Sequence, residues 1–296
     1  FHKVLCLSEA KGMDIKMKLG VVDVGGGLRG IYAAGIFDFC IEQNIQFDCC
    51  IGVSAGSANI TSYLAGQKGR NYRYYCEYAM RKEYMGLGNF IRTRSYINMN
   101  YVYGTLSNSG GEYPLDYTAL SKNPADFFIV AEEAVTGKAK YFDRNDMAQD
   151  QYQILMASSS IPGVNCPYEV NGVLYFDGAL GDPVPIQKAF EAGCDRVVLI
   201  LTKPVSIPRE PGHDPFLARM IQRKYPVSAE KIRNRAQIYN ESVELAKQYQ
   251  NEGNVLILSP DDTAGVTTLS RNRQALDRLY QKGYHDAAAI LEWLCP

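Results

Sequence analysis

Two short apolar segments constrain the fold of this chain most, because each is followed at once by small residues and a helical pattern. The first is KLGVVDV (18–24), after which residues 29–44 carry apolar side chains at helical spacing. The second is FDCCIGV (47–53), followed by a helical stretch at 54–67. Short apolar runs of this kind are typical of buried strands. A strand–helix–strand–helix order places the strands parallel with right-handed crossovers, so the sequence predicts an α/β fold.

The remaining pattern predicts further elements around that unit. Hairpins are expected at 126–143, with Thr136-Gly137 near its turn, and at 168–180, with an Asn171-Gly172 turn. Residues 70–103 contain eight tyrosines and six basic residues, and we expect them to form short helices and loops that cap the sheet. The other predicted elements are helices at 145–158, 185–193, 214–226, 228–250 and 271–294, and strands at 195–202 and 254–260.

Length and composition suit an ordinary globular protein. The chain has 296 residues, of which 46% are hydrophobic and 21% charged, and it shows no repeat or linker. We therefore expect one domain over 18–296, with its motifs in 18–204 and a mixed α/β part at 205–296. Residues 1–17 are expected to be an N-terminal extension without stable structure. Because the chain starts with phenylalanine, Met13 and Met17 are candidate natural starts, and residues 1–12 are then additional.

Charge and cysteine usage argue against several classes of protein. The formal net charge is −1, so no overall field favours nucleic acid. The eight cysteines lack the spacing of metal ligands and several lie in apolar runs, so we expect reduced, mostly buried thiols and no metal site. The sequence has no run of 18 apolar residues. Residues 1–18 show no apolar stretch followed by a small-residue cleavage site, so we do not expect secretion. These features predict a cytoplasmic protein.

A glycine cluster, GGGLRG (25–30), lies between the first strand and the first helix. Such a loop at a helix N-terminus presents backbone amides to negative charge, as a phosphate cradle or an oxyanion hole. Gly25, Gly27 and Gly30 also fit the G-x-G-x-x-G fingerprint of dinucleotide binding. That function needs an acidic residue after the second strand, whereas the candidate, Asp48, precedes the strand core.

The run GVSAG (52–56) follows the second strand and opens the second helix. A nucleophile elbow requires small residues around its serine, because the turn is tight and the strand and helix pack closely. The same run is also compatible with a strand-to-helix connection that carries no chemistry. If Ser54 is a nucleophile, the amide of Ala55 and the helix N-terminus stabilise an oxyanion.

A serine nucleophile needs a group that accepts its proton. The three histidines, which we expect on the solvated surface, are His2, His213 and His285. Asp177, which ends the predicted strand GVLYF, is followed by Gly178, and this pair by itself indicates only a turn. A partly desolvated aspartate with a raised pKa is able to act directly as the base for serine.

Taken together, the motifs resemble the patatin-like phospholipase family. Its three patterns, G-x-G-x-[RK]-G, G-x-S-x-G and D-G-[GA], match GGGLRG (25–30), GVSAG (52–56) and DGA (177–179) in that order. The stretch ASSSIPG (157–163) resembles the A-S-x-x-x-P block of the family, and residues 177–204 resemble its bacterial branch. Residues 205–296 carry no matching motif.

The resemblance implies a three-layer α/β/α fold with a mostly parallel sheet and a Ser–Asp dyad that hydrolyses acyl esters of glycerolipids without a cofactor. Ser54 is then the nucleophile and Asp177 the base. The oxyanion hole is assigned to the amides of Gly25, Gly26 and Gly27, with Ala55 after the nucleophile and help from Arg29. The alanine at position 179, where many members have glycine, narrows the space beside the base.

Partners and other functions remain open at this point. A lipid or acyl ester is the expected substrate. The Tyr- and Arg-rich segment 70–103 and the basic residues at 219–235 suit either peripheral contact with an anionic membrane or a packed cap with a solvated charged face, and we favour the cap. A nucleotide-binding α/β protein and a non-catalytic interaction protein on the same fold are the alternatives to a hydrolase.

Overall fold

The computed structural model describes residues 17–295. Met13, His2 and almost all of the expected extension lie outside the described residues, as does Cys6, one of the eight cysteines.

The described chain alternates strands and helices. The strands are β1 (Leu19–Asp23), β2 (Cys49–Val53), β3 (Asp126–Glu133), β4 (Ala139–Phe142), β5 (Tyr168–Val170), β6 (Val173–Asp177), β7 (Arg196–Ile200) and β8 (Val255–Leu258). The helices are α1 (Ile31–Glu42), α2 (Ala55–Leu64), α3 (Arg70–Cys76), α4 (Leu87–Thr93), α5 (Tyr117–Lys122), α6 (Gln153–Ser158), α7 (Gly178–Gly181), α8 (Ile186–Glu191), α9 (Asp214–Ile221), α10 (Pro226–Asn251), α11 (Arg273–Asp286) and α12 (Ala288–Leu294).

A single mixed sheet lies at the centre of the described chain, in the order β5-β6-β3-β2-β1-β7-β8, with β4 paired to β3. β1, β2, β3, β7 and β8 are parallel. β4 and β6 run antiparallel to β3, and β5 pairs antiparallel with β6. Successive residues of a strand point to opposite faces. Val21 accordingly packs in the core that includes α1, α2 and α11, and Val22 packs in the core that includes α8 and α10. The expected three-layer α/β/α fold is confirmed.

Two elements differ from the sequence prediction. The helix expected at 145–158 is confined to α6, because Asp150 takes a positive φ of 61° and its carboxylate binds the amide and hydroxyl of Ser109, both at 2.6 Å. The helix expected at 271–294 is divided into α11 and α12 at Ala287. The remaining boundaries shift by a few residues at most.

The ends of two strands meet along one edge of β3. Val53, the last residue of β2, pairs with Val130, while Asp177, the last residue of β6, pairs with the next residue, Ala131. β4 occupies the opposite edge of β3 at both positions. Since β2 is parallel and β6 antiparallel to β3, their carboxyl ends face each other. Residues that are distant in sequence, 54 and 177, are therefore neighbours in the fold.

Helices α1 and α11 touch backbone to backbone through glycines. A Cβ on Gly283 would lie 1.9 Å from the carbonyl oxygen of Tyr32, and one on Gly35 would lie 2.2 Å from that of Tyr280. This contact fixes the C-terminal part of the chain against the first helix.

Gly283→Ala is expected to lower the free energy of unfolding by about 1–3 kcal/mol, because the added methyl group overpacks a backbone contact. The matched control is Gly88→Ala in α4, where the new Cβ meets open space and better helix propensity adds stability. Urea denaturation of the two variants and the parent protein measures both effects. Equal midpoints for the two variants would contradict the packing argument.

The buried cysteines and the cap were both predicted. Among the described residues, the buried free cysteines are Cys40, Cys49, Cys50, Cys76 and Cys194, and Cys166 is exposed. In the cap, Tyr74, Tyr75, Tyr78 and Tyr103 are buried. None of the helices in the described part of the chain is long and apolar enough to cross a bilayer.

Candidate active site

Ser54 lies on a strained turn between β2 and α2. Its backbone has φ 56° and ψ −126°, a region that L-residues rarely occupy. The turn is tight enough that a Cβ on Gly52 would lie 2.6 Å from the Cα of Ser57, and one on Gly56 would lie 2.3 Å from the carbonyl oxygen of Asp23. The glycines are thus required by close backbone contacts. The geometry is that of a nucleophile elbow, with Ser54 at the head of α2.

The block ASSSIPG (157–163) connects the two predicted catalytic residues. The hydroxyl of Ser158 accepts a hydrogen bond from the Ser54 amide at 2.9 Å, and it contacts the Ser57 hydroxyl at 2.8 Å. Two residues later, the carbonyl of Ser160 accepts a hydrogen bond from the Asp177 amide at 3.0 Å. One short segment therefore sets the position of both residues.

Asp177 is buried at the end of β6, with 2% of its surface exposed. Its Oδ1 accepts a hydrogen bond from the Ala179 amide at 2.9 Å. Burial raises the pKa of the carboxyl to about 6, and a hydrogen bond from Ser54 is the largest influence that lowers it. Oδ2 has no hydrogen-bond partner among residues 17–295, but the Ser54 hydroxyl is close enough to lower the pKa of the carboxyl. Hydrogen bonds between catalytic groups are often long or poorly aligned until substrate binds.

The glycine loop packs directly on the elbow. Gly25, Gly26 and Gly27 all have positive φ, and a Cβ on Gly25 would lie 2.2 Å from the carbonyl oxygen of Val53. The prediction for Gly25 itself needs correction: its N–H donates to Oδ1 of Asp23 at 2.8 Å and is not free for an oxyanion. The amides of Gly26 and Gly27, together with that of Ala55, are the remaining candidate donors.

Arg29 does not line the cavity beside Ser54. Its Nη1 donates to the hydroxyl of Thr268 at 3.1 Å, and the backbone carbonyl of the same threonine accepts a hydrogen bond from Leu28 at 2.9 Å. Burial lowers the pKa of the guanidinium. The structure therefore gives Arg29 the role of holding the glycine loop to the C-terminal part of the chain.

Asp23 is a site residue that the motifs did not indicate. It is completely buried at the end of β1, and its two oxygens accept hydrogen bonds from Gly25 and from Nδ2 of Asn59, at 2.8 and 2.9 Å. Burial raises the pKa of this carboxyl to about 6. An acid inside an apolar strand, next to the glycine cluster, was the sequence signal that could have identified it. Asp23 ties the glycine loop to α2.

Asp23→Asn is expected to lower kcat by about 100-fold with a small effect on KM, since a displaced glycine loop misplaces the amide donors. The matched control is Asp38→Asn. Asp38 is also a buried carboxylate that binds a backbone amide and a side chain, those of Gly69 and Tyr280, but it lies on α1. Steady-state kinetics on one ester measure both variants, and equal losses would contradict a positioning role for Asp23.

A largely apolar cavity opens at Ser54. It has a volume of about 70 Å³, and the cap segment supplies much of its wall. Apolar lining residues include Met85, Ile97, Met99, Val102 and Ile161. Such a cavity suits a hydrocarbon chain, so the tyrosine-rich segment closes a pocket as well as covering the sheet.

Other candidates from the sequence are not at this site. His213 and His285 are exposed and do not line the cavity, while His2 lies outside the described residues. Asp48 is at the opposite end of β2 from Ser54, where its Oδ2 accepts a hydrogen bond from the Leu19 amide at 2.9 Å. It therefore does not take the place of the ribose-binding acid in a dinucleotide site.

A family model described as Patatin-like phospholipase matches residues 24–190, more than half of the chain. The chain belongs to the patatin-like phospholipase family. A second model, a domain of unknown function (DUF6363), matches residues 225–295, where the sequence showed no motif.

Relatives occur in bacteria and yeast. The uncharacterized protein YjjU of Escherichia coli is 27% identical over 63% of this chain and 52% of its own length. An uncharacterized NTE family protein of Mycobacterium bovis is 30% identical over 59% of this chain and 46% of its own length. Lysophospholipase NTE1 of Saccharomyces cerevisiae is 24% identical over 62% of this chain and 10% of its own length. The match thus spans about half the length of these bacterial relatives.

Among solved structures, VipD from Legionella pneumophila superposes with a TM-score of 0.47 and 11% identity, covering 93% of this chain and 67% of the other.

Proposed function

We propose that this member of the patatin-like phospholipase family is a serine lipid acyl hydrolase that cleaves carboxylic esters of glycerolipids through an acyl-enzyme. One observation carries the proposal: the strained Ser54, which lines an apolar cavity, and the buried Asp177 follow each other end to end where β2 and β6 meet on β3. Family membership and the name of the yeast relative, a lysophospholipase, support a lipid ester as substrate.

The first half of the reaction forms the acyl-enzyme. The Asp177 carboxylate takes the hydroxyl proton of Ser54 while Oγ bonds to the ester carbonyl carbon. Amides of the glycine loop and of Ala55 hold the resulting oxyanion. The bond to the alcohol oxygen then breaks, and the alcohol or lysolipid leaves with the proton from Asp177.

The second half releases the fatty acid. Asp177 takes a proton from water, whose oxygen attacks the acyl carbonyl. When the bond to Oγ breaks, Ser54 recovers its proton from Asp177. A carboxyl with a pKa near 6 is well suited to both transfers, because it is mostly ionised at neutral pH yet more basic than an ordinary aspartate.

Lipid-class profiling tests this function. Phospholipids, lysophospholipids, diacylglycerol and monoacylglycerol with one common acyl chain are incubated with the protein and, in parallel, with Ser54→Ala. Release of fatty acid from any class by the parent protein alone supports the proposal. No ester hydrolysis from any class, nor from a short p-nitrophenyl ester, would refute it.

Peripheral contact with a membrane is a further part of the proposal. Leu87 and Ile91 on α4 are 72% and 83% exposed, and Phe216 and Met220 on α9 are 64% and 53% exposed. Both helices adjoin the segment after Ser160: Val164 accepts a hydrogen bond from Tyr96, just after α4, and Leu217 of α9 packs on Gly163. The exposed basic residues nearby are Arg92, Arg94, Arg219, Arg223 and Lys224. Apolar tips among cations suit an anionic lipid surface near the cavity.

Vesicles that contain anionic phospholipid are expected to co-sediment the protein, more strongly at low than at high salt. Ile91→Glu combined with Phe216→Glu should weaken this binding about tenfold or more, since each buried apolar side chain contributes roughly 1.5–3 kcal/mol. The matched control is Val173→Glu, which removes an exposed apolar side chain from β6 instead. Absence of binding at both salt concentrations would contradict membrane contact.

A further inference from the structure

A segment from the C-terminal part of the chain lies directly on the glycine loop. We call residues 259–272, which connect β8 to α11, the C-terminal loop. Its residue Thr268 lines the same cavity as Ser54. The C-terminal loop lies beyond residues 24–190, which match the family model, and within 225–295, which match the domain of unknown function. The C-terminal part of the chain therefore contributes to the wall of the cavity.

Thr268 contacts the second half of the glycine loop at three points. Its carbonyl accepts a hydrogen bond from the Leu28 amide at 2.9 Å, and its hydroxyl accepts one from Nη1 of Arg29 at 3.1 Å. A Cβ on Gly27 would lie 2.4 Å from the carbonyl oxygen of Thr268 and 2.6 Å from its methyl group. The two segments are thus so close that a residue with a side chain does not fit at position 27 without a shift of the backbone.

The glycine loop depends on such outside contacts for its conformation. Gly25, Gly26 and Gly27 all have positive φ, and glycine has more backbone freedom than any other residue. Asp23 binds the amide of Gly25 at 2.8 Å, and the hydroxyl of Thr202 donates to the carbonyl of the same glycine. These contacts hold the start of the glycine loop, whereas the C-terminal loop holds its end.

The C-terminal loop is itself fixed to the rest of the fold. Val266 is 2% exposed and packs in the core that includes α1 and α11. Asn272 caps α11, since its Oδ1 accepts a hydrogen bond from the Ala275 amide at 3.1 Å. Because α11 packs backbone to backbone on α1, Thr268 is presented to the glycine loop from a rigid support.

The same loop also reaches the cap. Nη2 of Arg271 donates a hydrogen bond to the carbonyl of Met85. Met85 is buried, lines the cavity and forms a β-bridge with Ile97, which is another lining residue. Through Thr268 and Arg271 the C-terminal loop therefore contacts both the glycine loop and the cap, the two segments that line the cavity at Ser54.

We propose that Thr268 is a positioning residue that holds the amides of Gly26 and Gly27 in place for the oxyanion. It acts through Leu28 and Arg29, which it binds, and not on the reacting atoms. Donors stabilise a transition state only when their geometry is held to within about 0.5 Å, and a mobile glycine loop lacks that precision by itself. This inference rests on the proposed hydrolase function, and it gives the domain of unknown function a role in that reaction.

Thr268→Val tests this role, because valine keeps the side-chain shape and the carbonyl but loses the hydroxyl that accepts from Arg29. For a short p-nitrophenyl ester, kcat is expected to fall about 10- to 100-fold with KM changed less than about threefold, since displaced donors weaken binding of the transition state alone. Thr268→Ser keeps the hydroxyl and should retain kcat to within about threefold of the parent protein. The matched control is Thr267→Val, which changes the exposed neighbouring threonine.

A double-mutant cycle determines whether Thr268 acts through Arg29. Arg29→Gln removes the same hydrogen bond from its other side. The loss of kcat in Arg29→Gln combined with Thr268→Val should therefore match the larger single loss and not the product of both. If Thr268→Val does not fold, Thr268→Ala takes its place. The melting temperature of each variant separates positioning from general destabilisation.

The outcomes distinguish this inference from the hydrolase function itself. A fall in kcat that serine prevents, and that does not multiply with the effect of Arg29→Gln, supports the inference. Parental kcat in Thr268→Val, an equal loss in Thr267→Val or Thr268→Ser, or losses that multiply in the double variant would overturn it while hydrolysis by the parent protein stands. No ester hydrolysis by the parent protein would reject the hydrolase function and the inference with it.

Discussion

Ser54→Ala is expected to abolish ester hydrolysis, with a fall in kcat/KM of about 10⁴-fold or more. The reason is that the covalent route ends when Oγ is removed, while the strained turn that presents it remains. The backbone at position 54 is held by the Ser158 hydroxyl and by the close packing of the neighbouring glycines, none of which depends on the serine side chain.

Release of p-nitrophenol from a short ester measures the effect, and a fluorophosphonate probe followed by peptide mass analysis identifies the labelled residue. The control is Ser121→Ala, which changes an exposed serine on α5. Ordinary turnover or undiminished labelling in Ser54→Ala would remove Ser54 from the mechanism and, with it, the proposed acyl-enzyme.

Asp177→Asn is expected to lower kcat by about 10²–10⁴-fold, the usual contribution of a positioned base. The asparagine side chain has nearly the same shape as the aspartate carboxylate and keeps an oxygen that accepts the Ala179 N–H, but it does not act as a base. In the parent protein the base must be ionised, and burial raises its pKa to about 6. Activity should therefore rise with pH through about 6 and level off above about 7.

Stability provides an independent measurement on the same variant. The folded-state pKa of Asp177 lies above its ordinary value, so the bound proton stabilises the fold at low pH and this contribution is lost as pH rises through about 6. Asparagine carries no such charge. The melting temperature of Asp177→Asn, measured relative to that of the parent protein, should therefore increase as pH rises from about 4 to 7.

The two readouts separate chemistry from folding. An Asp177→Asn protein that is stable and inactive supports the role of base. A variant that retains parental kcat would exclude that role, and a pH profile without an inflection near 6 would contradict the raised pKa.

Much of the site was predictable because its motifs stand at the ends of predictable strands. GVSAG (52–56) follows a buried apolar run, and the Asn171-Gly172 turn, with φ values of 51° and 80°, fixes the hairpin that ends at Asp177. In an open sheet, functional residues collect at the carboxyl ends of strands. The sequence pattern therefore placed Ser54 and Asp177 at strand ends, and the resemblance to the patatin-like phospholipase family then proposed them as partners.

Hydrogen-bond partners could not be assigned in the same way. All three glycines of the loop look equivalent in the sequence, but Asp23 engages the amide of Gly25 and leaves those of Gly26 and Gly27. Arg29 follows the loop in the motif, yet its guanidinium turns to Thr268, which is 239 residues away along the chain. Which donors are free depends on contacts between distant segments.

The amino-acid sequence itself determined the order of strands and helices along the chain and the positions of the tight turns, because backbone sterics and side-chain periodicity act locally. It also placed Ser54 and Asp177 at the ends of strands. Only the tertiary structure decided that β2 and β6 meet end to end on β3, and that the tyrosine-rich segment encloses an apolar cavity. These features depend on strand register and side-chain packing, which bring together residues that are distant along the chain.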